Sequence, residues 1–341
     1  MKAAIYGGLR SIEIREVEVP APPPGYVLLE MKACGICGSD LHQYLGRWGQ
    51  PTVAGGHEVS GVIAALGEGV SRVKVGDRVA VEGTYHCGEC RYCRVGLYNL
   101  CEHWAGASGG THSGFAEYVV AHERSCFILP STMSFEQGAL VEPLAVGYRV
   151  FHRSSATSQD NLLIIGAGTI GLACLLAARA SGVRCAVVAA RYDHQAEQAT
   201  ELGADHVLRV PEQDVVAEMR LLTDGLGADV VIEATASADG FGQAVNAARG
   251  RGRVVLTGSY TQPLQVDLQP IVLKELSITS SMCYGYSGMR KDYEWSIELI
   301  ASGKVPIERL VTHRFALAEI QQAFAAATDK SSGAVKVVVE S

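Results

Sequence analysis

The chain has 341 residues, enough for one large or two medium domains, and two are expected. Its residues are 48% apolar and 38 are glycine, which suits a folded, turn-rich α/β enzyme and argues against a disordered chain. A net charge of -7 and a pI near 5.8 offer no basic stripe for a phosphate backbone, so no nucleic-acid partner is expected.

The opening "MKAAIYGGLRSIEI" alternates apolar and polar residues like a strand and lacks the features of a signal peptide. No apolar run reaches the roughly 18 residues of a membrane span, so a cytoplasmic protein without membrane contact is expected. Up to about Gly147 the chain reads as short strands broken by Pro and Gly, as in "VEVPAPPPGYVLLEMKACG" and "VKVGDRVAVE", an all-β pattern with long loops.

Within this region "ACGICGSDLH" supplies Cys37, Ser39 and His42, "GGHEVSG" supplies His57 and Glu58, and "ALVEPLAVG" supplies Glu142. A thiolate, an imidazole and one or two carboxylates can hold zinc and leave a position for water or an alcohol oxygen. Alone each motif is weak: a lone Cys or His is more often core or surface, and Glu-Pro commonly ends an element. "SDLHQYL" also reads as a helix start, which makes Ser39 a candidate N-cap.

Four of the ten cysteines lie in "HCGECRYCRVGLYNLC". Cys87, Cys90, Cys93 and Cys101 have the spacing C-x2-C-x2-C-x7-C, whose short turns let thiolates converge on one tetrahedral zinc. Four cysteines saturate the metal, so this site, within a lobe at 86–102, is structural. Buried or disulfide-bonded cysteines are the other reading, and a reducing compartment disfavours disulfides.

From about Tyr148 the pattern changes. "NLLIIGAG" reads as a buried parallel strand, "TIGLACLLAARASG" as a helix ending at Gly182 and "CAVVAA" as a second buried strand. Further strands are expected at "DVVIEAT" and "GRVVLTGS", with helical segments around Ala217–Leu222 and Gly242–Ala248. Alternation of strand and helix predicts a doubly wound parallel sheet. A helix near Tyr293–Ser302 and a last strand, "AVKVVVES", follow. That strand is expected to rejoin the first domain, with domains at 1–147 plus 286–341 and at 148–285.

"GAGTIG", Gly166–Gly171, follows a strand and opens a helix, the context that a dinucleotide fingerprint requires. Gly166 permits the tight turn, Gly168 the approach of a pyrophosphate and Gly171 close helix packing, with Thr169 and Ile170 at the phosphate-facing helix start. The second strand should end in an acid that binds the ribose hydroxyls and repels a 2′-phosphate. Ala190 stands there, followed by Arg191, whose guanidinium can bind a phosphate bidentately. NADP is therefore favoured over NAD, unless Arg191 merely pairs with Asp193. Tyr192 and His194 are candidates to flank the phosphate.

Together "GICGSDLH", "GGHEVSGVI", the cysteine lobe, "VEPLAVG" and "GAGTIG" resemble, in order and spacing, the zinc-containing medium-chain dehydrogenase/reductase family, over essentially the whole chain. The resemblance is greatest to the polyol, sorbitol and butanediol dehydrogenase branch. It implies a GroES-like β-rich catalytic domain joined to a Rossmann cofactor domain. It further implies two zinc ions per chain, with Cys37 and His57 as ligands of the catalytic ion and Glu58 a ligand or exchanging neighbour. Glu142 stands where simple alcohol dehydrogenases carry a second cysteine and polyol dehydrogenases a glutamate, binding directly or through water.

On this resemblance the Ser39 hydroxyl contacts the substrate oxygen and passes a proton by way of cofactor ribose hydroxyls to His42, while Asp40 orients a zinc ligand. Cys283 and Tyr284 stand where polyol dehydrogenases often carry Arg-Tyr, which argues against sorbitol itself and leaves a smaller secondary alcohol, a diol or a cyclic aminopolyol. Tyr44, Trp48 and Tyr284 are candidate pocket residues as well as candidate core. "LSITSSMCY" resembles the strand that pairs subunits, implying a homodimer or homotetramer. A threonine dehydrogenase-like oxidoreductase and a non-enzymatic cofactor-binding protein on the same fold are the alternatives.

Overall fold

Strand Tyr26–Gly35 is the trunk of a seven-stranded sheet in the computed structural model, which describes residues 1–49, 55–106 and 114–341. It pairs antiparallel with Glu58–Leu66, Tyr118–His122 and the C-terminal strand Lys336–Glu340. Its residues Val27, Leu29, Met31 and Cys34 join a core with Phe115, Phe324 and Val339. By its internal contacts the chain divides into two units, Met1–Glu142 with Tyr293–Ser341, and Pro143–Asp292. Helix Ile320–Thr328, which lacks a distinctive sequence signal, buries Ile320, Ala323 and Phe324 in the first unit.

In the second unit, among the described residues, six parallel strands stand in the spatial order third, second, first, fourth, fifth, sixth. They are Asn161–Ile165, Cys185–Ala190, His206–Arg209, Ala228–Glu233, Ala248–Leu256 and Ser277–Ser280. This is the doubly wound order whose switch point lies between the first and fourth strands. The first two strands are buried at every residue but their first, because helices cover both faces of such a sheet. Helix Thr169–Ala180 ends at Ser181, and Gly182 at φ +72° turns the chain back.

The two expected helical segments lie in longer helices. Val215–Leu222 starts at Asp214, whose carboxylate accepts from the amides of Val216 and Ala217, and Ala238–Ala247 starts at Ser237. Strand His206–Arg209 and helix Asp193–Glu201 carry no apolar run to announce them: in the strand Leu208 alone is buried, and the helix is polar on most positions. The helix expected near Tyr293–Ser302 spans Asp292–Ala301. Among the described residues no helix is long and apolar enough to cross a membrane.

Candidate active site and cofactor-binding strand ends

Cys37 is the N-cap of helix Gly38–Tyr44, so this helix starts before Ser39, which lies in its first turn and is not its cap. His57 and Glu58 come from the start of strand Glu58–Leu66 and the residue before it. One donor atom each of Cys37, His57 and Glu58 lies within 4.8 Å of the others. Asp40, 2% exposed, ties the two segments together: its carboxylate accepts the Cys37 amide at 2.8 Å and the Gly56 amide at 3.2 Å. Its Oδ1 also lies 3.8 Å from His57 Nδ1, an electrostatic contact longer than a hydrogen bond.

Glu58 pairs across the strands with Gly35, and a Cβ at Gly35 would overlap its carboxylate. Both carboxylate oxygens accept from Lys336 Nζ at 2.7 Å, and the same ammonium donates to the Ile36 carbonyl at 3.0 Å. Lys336 is 2% exposed and Glu58 1%. Sequence reasoning missed this lysine; the signal is a single cation inside the apolar strand "KVVVE".

Glu142, in the first turn of helix Val141–Ser154, is buried but outside the compact trio. Burial, reinforced by the Glu58 charge, pushes its carboxyl up to about 7. Burial alone would lower the His57 imidazole, yet the Cys37 sulfur and Asp40 hold it well above its ordinary value. A thiol and three carboxyl groups gather around one imidazole and one ammonium. That donor set fits a zinc ion.

Ser39 Oγ and His42 Nδ1 are buried atoms without a hydrogen-bond partner among the described residues, a state that native structures rarely leave unanswered. Burial, then Arg47, lowers the His42 imidazole, whose ring lies 4.9 Å from that of Trp48. Tyr44 is core: it packs on Phe324 at 5.1 Å, and its hydroxyl accepts from Gln321 at 2.9 Å. Tyr284 is buried to 1% exposure, and Cys283 takes φ +48°.

None of the ten cysteines forms a disulfide. In the lobe the sulfurs of Cys87, Cys90, Cys93 and Cys101 gather with separations of 3.6 Å for Cys87–Cys101 and 3.9 Å for Cys87–Cys93 and Cys90–Cys101. Sulfurs on a tetrahedral zinc at ~2.3 Å stand about 3.8 Å apart, whereas a disulfide requires about 2.05 Å. Amides of Cys87 and His103 donate to Cys101 Sγ, and that of Cys90 to Cys87 Sγ. Backbone donors of Cys93 and Glu102 lower the Cys90 thiol to about 6, while burial pushes Cys93 up to about 12. Four adjacent thiols cannot all ionise without a cation.

In the glycine turn, Gly166 adopts φ +102°, and a Cβ at Gly171 would overlap the Gly166 carbonyl. At Gly168 a Cβ would meet no protein atom within 4 Å. Packing therefore leaves that position open on the side of the helix start at Thr169 and Ile170, which fits a phosphate. Ala190 is buried at the end of the second strand and Arg191 is exposed beyond it, its guanidinium 5.9 Å from the Tyr192 ring. Tyr192 and His194 stack at 5.7 Å. Asp193 forms its ion pair with Arg209 of the third strand. Among the described residues Arg191 has no carboxylate partner.

Two family models match the chain: the alcohol dehydrogenase GroES-like domain over residues 23–131 and the zinc-binding dehydrogenase domain over 169–302. A sorbitol dehydrogenase of Halalkalibacterium halodurans is 36% identical over 330 residues, 94% of each chain. The structure of a short chain alcohol dehydrogenase from Escherichia coli CFT073 complexed with NADH superposes with a TM-score of 0.91 at 31% identity, covering 100% of this chain and 99% of that one. A protein from Sinorhizobium meliloti 1021 bound to NADP gives 0.91 at 29%, with the same coverage. The chain thus belongs to the zinc-containing medium-chain dehydrogenase/reductase family, built of a GroES-like and a Rossmann-like part. Within that family its relatives place it in the polyol dehydrogenase branch, as a zinc-dependent alcohol or polyol dehydrogenase.

Proposed function

We propose that the chain moves a hydride between NADP, in preference to NAD, and a secondary alcohol, polyol or cyclic aminopolyol and its ketone. The observation that carries this reading is the Cys37–His57–Glu58 trio, with Glu58 buried, and two residues after Cys37 a Ser39 hydroxyl that has no partner among the described residues. Cys37 and His57 hold a catalytic zinc, completed by Glu58 and Glu142 directly or through water. Cys87, Cys90, Cys93 and Cys101 hold a structural one. When bound, zinc supplies Lewis acidity toward an alcohol oxygen and nicotinamide a hydride acceptor. Ser39 takes the hydroxyl proton, and His42, kept neutral at physiological pH by its lowered pKa, carries it onward. Asp40 fixes Cys37 and His57 in place.

The glycine turn and the end of the second strand bind the dinucleotide, and the NADH- and NADP-bound relatives support a nicotinamide cofactor. The alanine at position 190 in place of an acid, and Arg191, which has no carboxylate partner among the described residues, favour the 2′-phosphate. Strand Ser277–Ser280 is an outer strand of its sheet and, with exposed Val272, Leu273 and Met282 nearby in sequence, suits pairing with a second copy.

A panel of secondary alcohols, 2,3-butanediol, sorbitol, a cyclic aminopolyol and threonine, run with both cofactors, tests the reading. NADP-dependent oxidation of a secondary alcohol or polyol by protein holding two zinc ions supports it. Turnover of threonine alone moves it to an amino-acid alcohol, and one zinc with no turnover refutes it. Arg191→Ala is expected to raise KM for NADP by roughly tenfold or more, the worth of a charged hydrogen bond, and to leave KM for NAD within about twofold. Equal effects would leave Arg191 a surface residue. Cys90→Ser is expected to lower the melting temperature and remove one zinc while changing KM little, and unaltered zinc and melting would refute the structural ion.

A further inference from the structure

The third strand of the second unit carries a residue that the fingerprint does not include. Arg209 is in parallel register with Ala190, the position where an NAD-binding strand ends in its acid. Laterally paired residues project from the same face of a sheet, strands lying about 4.8 Å apart. Arg209 is therefore the side-by-side neighbour of the ribose-reading position, on the strand away from the glycine turn. The Val210 amide donates to the Ala190 carbonyl at 2.9 Å, so the two strand ends are locked together.

The guanidinium is only partly committed. Its Nη2 pairs with Asp193, while its Nε is buried without a partner among the described residues. Asp193 sits in the first turn of helix Asp193–Glu201, with its side chain 77% exposed against 39% for Arg209. The anion in this pair is thus the more solvated partner, and the cation the more buried one. A guanidinium that pairs with a carboxylate can take a phosphate in its place.

We propose that Arg209 is the second cationic arm of the 2′-phosphate site, opposite Arg191, and that Asp193 is an internal anion which the phosphate displaces. Cofactor choice then depends on three residues. Arg191 and Arg209 attract the extra phosphate, and Asp193 competes with it for Arg209 and repels it. This rests on the dinucleotide-binding role proposed above for the glycine turn.

Calorimetric titration of the full-length protein with adenosine 2′,5′-bisphosphate and with 5′-AMP, which differ only in the 2′-phosphate, tests it without turnover. Arg209→Gln is expected to weaken the bisphosphate by roughly tenfold to a hundredfold and 5′-AMP by less than about twofold. Asp193→Asn, which keeps Arg209, is expected to tighten the bisphosphate several-fold and leave 5′-AMP unchanged. Asp193→Asn also covers the case in which Arg209→Gln fails to fold. The proposal is overturned if both nucleotides bind and neither variant changes their ratio, or if Asp193→Asn weakens the bisphosphate. Failure of the wild-type protein to bind either nucleotide, or NADP or NAD, would overturn the dinucleotide reading itself, and this inference with it.

Discussion

Lys336→Met is expected to lower the melting temperature of the first unit by about 6–20 °C. The substitution leaves the Glu58 carboxylate at 1% exposure without the ammonium that meets both of its oxygens at 2.7 Å. Removing one partner of a buried ion pair costs about 3–5 kcal/mol, and each kcal/mol moves the melting temperature of a unit of this size by about 2–4 °C. The double variant Lys336→Met, Glu58→Gln should recover most of the loss, because the stranded charge is gone. Differential scanning calorimetry of the two single variants and the double variant measures the coupling. A shift below ~2 °C for Lys336→Met would show that water or another cation takes over the carboxylate.

The second large effect is expected at Cys37. Cys37→Ser replaces the only sulfur of the Cys37–His57–Glu58 trio with a hydroxyl that stays protonated at neutral pH and is a poor zinc ligand. Turnover should fall by more than the roughly tenfold to hundredfold that outer partners of a metal typically contribute. Zinc content should fall by one ion per chain, with the far-ultraviolet spectrum preserved. Retained activity with two zinc ions would remove Cys37 from the site.

Legibility in the sequence follows the range over which each interaction is set. Cys37, Ser39, Asp40 and His42 fall within one short segment, and His57 and Glu58 are adjacent, so local spacing exposes them. The glycine turn is equally local, since the strain at Gly166 and the close approach at Gly171 arise within one strand, turn and helix. Lys336 and Arg209 have no such signature. Lys336 matters because the strand Lys336–Glu340 pairs with Gly35 and its neighbours. Arg209 matters because of its register with Ala190. Neither register can be read from composition, and strand His206–Arg209, with one buried residue in four, does not announce itself by hydrophobic pattern. Asp193 shows the same limit: nearness in sequence suggested Arg191 as its partner, whereas the fold gives it Arg209.

The Glu58–Lys336 pair also orders events in time. The two residues are 278 positions apart, so a ribosome adding about 5–20 residues per second exposes Glu58 for roughly 15–55 s before its counterion exists. Throughout that interval Cys37, His57 and Glu58 are already synthesised, and Glu58 lacks the ammonium that meets it in the fold. Pairing of strand Lys336–Glu340 with Tyr26–Gly35 is then the step that brings the ammonium to Glu58.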